Sequence, residues 1–157
     1  YAIDYLNMEI MPKLIKSFPK IKLVITGGGF NKNYPWIINK NLVPKKELYD
    51  LTYNALCLCV PLKFGSGTRI KIIEALSLGT VVVSTPKGIE GIELKKKNPP
   101  FIFENKEKLI RTLNFIIKNK KKIKKKAIKD RKFYLNKFSM KVATDNFLKE
   151  NLKQFFN

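Results

Sequence analysis

Apolar side chains recur at three- and four-residue intervals through Ile3, Leu6, Ile10, Leu14 and Phe18. That spacing predicts an amphipathic helix over 1–18, ended by Pro19. The period then changes. Residues 21–26 are a short β-branched run closed by Gly27, Gly28 and Gly29, the pattern of a buried strand with a sharp exit. A second strand is predicted at 36–43, and Pro44 suits the first turn of a helix that runs to about Asn54. Residues 55–60 are continuously apolar and stop at Pro61. The stretch 62–67 reads as a loop, and 68–78 as a helix with Gly79 as its C-terminal stop. Thr80-Val81-Val82-Val83-Ser84 is the clearest strand. A loop at 86–91 and a short strand at 101–103 follow. Everything from Glu104 onward reads as helix.

Strands that are apolar throughout, alternating with helices, predict an α/β fold. Its centre is a Rossmann-like parallel sheet with helices on both faces. Ligands of such sheets bind at the carboxyl ends of the strands, so the loops of interest are 27–35, 61–68 and 85–91. No internal repeat is visible.

Composition narrows the class. A chain of 157 residues, 45% hydrophobic and 28% charged, suits one globular domain. No stretch approaches the roughly 18 apolar residues of a membrane span. Residues 1–11 have no basic region ahead of their apolar positions, so they do not form a secretory signal. The first residue is not Met, and the chain is expected to begin inside a longer protein. Cys57 and Cys59 lie two apart, on one face of a strand, and read as small core residues of a reducing compartment. A Cys-x-Cys pair in a chain without His is a poor metal site, and no metal is expected. The absence of His also removes the commonest general base.

Charge is placed unevenly. The net +20 divides into +5 over residues 1–94 and +15 over 95–157. Lys120, Lys121, Lys122, Lys124, Lys125 and Lys126 make a nearly unbroken run. Such a run is either a solvated helix face or a surface that attracts anionic membrane or an anionic polymer. Nucleic acid is poorly supported, because Lys dominates over Arg and no nucleic-acid motif accompanies it.

The chemistry is concentrated at 60–76. A strand ends, a small-residue loop follows, and a helix begins at once. Gly65 and Gly67 let a backbone approach a ligand closely. Free amides at the helix start, beside Gly65, Ser66, Gly67 and Thr68, favour a phosphate or pyrophosphate. Arg69 in the first turn can add a bidentate contact. Lys71 and Glu74 are three apart and share a helix face, which places a carboxylate one turn beyond the phosphate, within reach of ribose hydroxyls. The ATP-type phosphate loop needs G-x-x-x-x-G-K-[ST] and is not matched, and Gly27-Gly28-Gly29 is not a G-x-G-x-x-G dinucleotide turn.

The run 61–94, with FGSGTRIKIIEALSLGTVVVSTPKGIEGIEL at its centre, resembles the sugar-donor-binding domain of two-domain GT-B glycosyltransferases. It is closest to the group 1, or family 4, enzymes of bacterial polysaccharide assembly. PKLIKSFPKIKLVITGGG and NLVPKKELYDLTYNALCLCVPL are similar to segments that precede that loop in the family. The resemblance implies the C-terminal domain of a GT-B architecture and a UDP-sugar or GDP-sugar as donor substrate, with no further cofactor. The acceptor would be a saccharide or a lipid-linked sugar. The loop Gly65, Ser66, Gly67, Thr68 would face the diphosphate, with Arg69 and Lys71 as its cationic ligands. Glu74 matches the second carboxylate of the family's E-x7-E motif, which binds ribose, while Ser66 stands where the first carboxylate would fall. The loop holding Gly88 and Glu90 matches the segment that approaches the donor, and backbone at Leu42 and Val43 would meet the base. The resemblance assigns no catalytic residue.

The domain expectation is a Rossmann-like unit over 1–138 and a C-terminal helix over 139–157 that packs on an acceptor domain. In the resembled family the donor domain opens with a central strand between those predicted here at 21–26 and 55–60. That strand and the acceptor domain are expected upstream, so that these residues alone bind nucleotide weakly and transfer no sugar. The setting implied is the cytoplasm, with peripheral contact through the lysine tail at the inner face of a membrane. Two other readings stay open: a non-catalytic Rossmann-like module that docks on anionic membrane or nucleic acid, and a nucleotide-sugar epimerase of the same architecture.

Overall fold

The computed structural model describes residues 1–65, 67, 69–97 and 99–138. The helix expected at 139–157 lies outside the described residues.

The first helical stretch is not one continuous α-helix. It consists of α1 (Ala2–Asp4), a π-helical turn (Tyr5–Ile10) and α2 (Met11–Ser17). Pro12 supplies the reason. It has no N–H to give to Met8, and its ring would crowd that carbonyl in a regular α-helix. The wider turn, in which the Met11 amide donates to Leu6 O, makes room for it. One result is that the polar Asn7 turns inward and is only 1% exposed. Its Oδ1 accepts a 2.8 Å hydrogen bond from Trp36 Nε1, which fastens the helix to the second strand.

All strand pairs are parallel, as the pattern predicts. The expected single sheet is divided, however. β1 (Leu23–Ile25) pairs with β2 (Ile37–Asn39), while β3 (Leu58–Val60), β4 (Val82–Ser84) and β5 (Phe101–Ile102) form a second sheet in that order. β1 and β3 do not pair with each other. Between them lies a cleft of about 560 Å³ walled by Leu6, Ile10, Leu23, Ile25, Cys57 and Cys59. The ladders are also shorter than the apolar runs that predicted them. β1 continues into irregular bonds, with the Lys40 amide on Ile25 O at 2.9 Å and the Gly27 amide on Asn41 O at 2.6 Å.

β4 organises the core. Successive side chains of a strand face opposite ways, and here both faces are covered. Val81 and Val83 pack with Leu14, Leu109 and Ile116 on one side. Val82 packs with Ile72, Leu76 and Tyr134 on the other. That is why 80–84 carries no polar alternation.

α3 (Lys45–Asn54) starts one residue later than expected, because Pro44 is extended and acts as the N-cap. α4 (Ile70–Leu78) ends at Gly79 as predicted. The stretch 86–91, predicted as a loop, begins with a short helix, α5 (Pro86–Ile89). Thr85 caps it, Oγ1 accepting from the Gly88 amide at 3.2 Å. The long C-terminal helix is two helices, α6 (Lys106–Lys118) and α7 (Lys120–Lys137). Asn119 divides them. Its backbone leaves the helical region and its Nδ2 donates to Phe115 O at 2.9 Å. α7 packs along α4. Its single acid, Asp130, is buried and paired with Lys95 at 2.5 Å, and Tyr134 Oη accepts from the Lys95 amide at 3.3 Å. Among the described residues no helix is long and apolar enough to cross a membrane.

Candidate functional site

The carboxyl ends of β3 and β4 open onto the loops 61–69 and 85–91. Side chains near these ends join the two loops. Thr85 Oγ1 donates to Leu62 O at 2.6 Å, and Ser84 Oγ lies 3.3 Å from Val60 O and 3.0 Å from Thr85 O. The glycine loop therefore sits on a hydrogen-bonded floor.

Gly65 has φ +121° and Gly67 φ +83°, values that other residues rarely adopt. Arg69 is the N-cap of α4 and gives no side-chain cap. Instead its guanidinium lies against Gly65, where a Cβ would stand 2.5 Å from a terminal nitrogen. The positive end of α4 and the Arg69 guanidinium thus share one small region, an arrangement suited to an anion. Lys71, exposed in the first turn, borders the cleft between β1 and β3, as do Thr26 and Pro61.

One turn further along α4, Glu74 is half-buried. Its Oε1 accepts a hydrogen bond from Tyr49 Oη of α3 at 3.1 Å. The ammonium of Lys45 stands 5.5 Å from the centre of the Tyr49 ring. In front of α3 the chain turns at Asn41, with φ +50°, and leaves Leu42 85% exposed.

Of the expected residues the structure brings Arg69 against Gly65, and Lys71 and Glu74 follow in the first two turns of α4. Ser66 and Thr68 lie outside the described residues. Gly88 is close by but buried, and its amide is already engaged by the Thr85 carbonyl and hydroxyl. A Cβ there would overlap Ser84 Oγ and stand 3.2 Å from Val60 O, so Gly88 serves the packing of the floor. Glu90 is exposed and pairs with Lys87. Sequence reasoning passed over Tyr49, Ser84 and Thr85. Thr85 had a visible signal, since Thr followed by Pro marks a helix cap with proline in the first turn. Tyr49 had none, because its partner is 25 residues away.

The two cysteines form part of the cleft wall and are free thiols. Desolvation pushes the Cys57 thiol up to about 12 and raises Cys59 well above its ordinary value, so both are neutral near pH 7 and poor nucleophiles. Among the described residues no group of His, Cys, Asp and Glu is placed to hold a metal ion.

The model of one protein family, described as glycosyl transferases group 1, matches residues 1–119 of this chain. No curated protein matches it.

Proposed function

This chain belongs to the group 1 glycosyltransferases, and from that membership we propose that it binds a nucleoside-diphosphate sugar, UDP- or GDP-linked, as glycosyl donor at the carboxyl ends of β3 and β4. The observation that supports this most is the glycine segment in front of α4, where Gly65 and Gly67 take positive φ, with Arg69 folded over Gly65 and a carboxylate one turn beyond. In this reading the diphosphate rests at the start of α4 against Arg69 and Lys71. Glu74 accepts hydrogen bonds from ribose hydroxyls, and the backbone at Leu42 and Val43 borders the base. As the glycosidic bond breaks, negative charge grows on the departing diphosphate. The helix terminus and the two cations stabilise it there, which lowers the barrier without proton transfer from the protein.

The acceptor is a saccharide or lipid-linked sugar bound by a domain of the intact protein, and a further strand of that protein fills the cleft between β1 and β3. Two open strand edges facing an apolar cleft support this, since buried backbone groups need partners. Amide hydrogen exchange tests it: residues 23–25 and 58–60 exchange more slowly in the intact protein than in residues 1–157 alone, and equal rates would count against the strand. The exposed lysines of α7 support a peripheral position on anionic membrane at the cytoplasmic face.

The sugar-donor reading is tested by thermal melting of the intact protein against a nucleotide panel. UDP or GDP raises the melting temperature and other nucleotides do so less. A protein that ignores every nucleotide and responds only to anionic vesicles would be a docking module. One that binds UDP and returns an isomerised sugar nucleotide, with no transfer, would be an epimerase.

A further inference from the structure

We infer that Tyr49 is a positioning residue for Glu74 and thereby sets how well the site tells ribose from deoxyribose. The inference rests on the reading of Glu74 as the ribose ligand. Tyr49 and Glu74 stand on different helices, α3 and α4, and meet through the 3.1 Å bond from Tyr49 Oη to Glu74 Oε1. A glutamate side chain on a helix surface has several rotamers of similar energy. One directed hydrogen bond to Oε1 selects among them and fixes the plane of the carboxylate. It leaves Oε2 and the second lone pair of Oε1 as acceptors for vicinal hydroxyls. The ring of Tyr49 is itself held, since it is half-buried and Lys45 lies over it. α3 also begins directly after the exposed turn at Asn41 and Leu42. The Tyr49 contact therefore ties the segment bordering the base to the carboxylate that reads the sugar, and each helps to fix the other before ligand arrives.

The experiment is calorimetric titration of the intact enzyme with UDP and GDP and with their 2′-deoxy and 3′-deoxy counterparts. Wild type, Tyr49→Phe and Glu74→Ala are compared. Tyr49→Phe removes one oxygen and keeps the ring, and a melting curve checks that it is folded. The wild type prefers the ribonucleotide. Tyr49→Phe lowers that preference about three- to tenfold, the share of a charged hydrogen bond lost through disorder, while deoxynucleotide affinity stays close to wild type. A contact that only joins two helices would weaken both ligands alike, so an unchanged preference in Tyr49→Phe overturns the inference. Glu74→Ala separates the two levels of the argument. Where it abolishes the preference and Tyr49→Phe does not, only the role of Tyr49 fails. Where it leaves the preference intact, the ribose reading of Glu74 fails and the role of Tyr49 with it.

Discussion

The side chain of Arg69 folds back over Gly65, so the residue that starts α4 also closes the loop that leads into it. The contact exists because Gly65 has no Cβ and takes φ +121°. Alanine there would be strained and would push the guanidinium off the loop. Gly65→Ala is expected to lower nucleotide affinity roughly tenfold, about 1.4 kcal/mol. Titration with UDP or GDP reads this directly, and wild-type affinity in the folded variant would remove the loop from the site.

Gly88 makes a contact of another kind, with the floor beneath the loops. Its missing Cβ would collide with Ser84 Oγ, which is buried and bonded to backbone carbonyls. Gly88→Ala should destabilise the protein by about 1–3 kcal/mol in urea, the usual range for overpacking. Ser84→Ala removes the nearest obstacle. The double variant is therefore expected to lose less than the two single losses added together. Strict additivity would mean the two residues do not press on each other.

The neutral thiols on the cleft wall make stability fall in alkali. Folded Cys57 and Cys59 keep their protons to higher pH than unfolded cysteines do. Between pH 9.0 and about 12 the folded state therefore binds more protons, and stability declines as pH rises through that window. Below it the contribution is fully present. Lysines titrate there too, so the comparison is with Cys57→Ala/Cys59→Ala, whose urea midpoint should fall less steeply above pH 9.0. Parallel curves would show that the thiols are not desolvated.

The legible part of this molecule was what periodicity and backbone chemistry encode. The run 80–84 announced a central strand because both faces of β4 are covered. Gly65 and Gly67 marked a loop, and both take φ values that few other residues adopt. Polar contacts between distant residues have no period, so the Asn7–Trp36 and Tyr49–Glu74 bonds were invisible. The π-turn was also missed, although Pro12 was in view, because the apolar spacing fits a regular helix and a widened one almost equally. The division of the long basic helix at Asn119 was hidden for the same reason.

α7 carries Lys121, Lys122, Lys125, Lys129 and Lys132 exposed, and its only acid is consumed by Lys95. Basic residues near an anionic surface contribute about 1 kcal/mol each at low salt. The intact protein is expected to co-sediment with phosphatidylserine-containing vesicles and not with phosphatidylcholine alone. Charge reversal of Lys121, Lys122 and Lys125 should abolish this, as should about 0.5 M salt, which shortens electrostatic range well below 10 Å. Equal binding to both vesicle types, or to neither, would leave α7 as a solvated face.

The division between β1–β2 and β3–β4–β5 also makes the domain mechanically unequal. One lobe is a two-stranded ribbon attached by side-chain packing to the π-turn and α2, with Trp36 on Asn7 as its rivet. The other is a three-stranded sheet clamped between α6 and the α4–α7 pair. The ribbon shares apolar contacts with the core of the clamped sheet but no backbone ladder, so it can open at lower cost than the sheet itself. The glycine loop and Glu74 belong to the firm lobe, while the turn at Leu42 joins the ribbon to α3. Motion of the ribbon would thus displace the turn at Leu42 and leave the glycine loop in place, and a strand seated between β1 and β3, as proposed for the intact protein, would couple the two lobes and remove that difference.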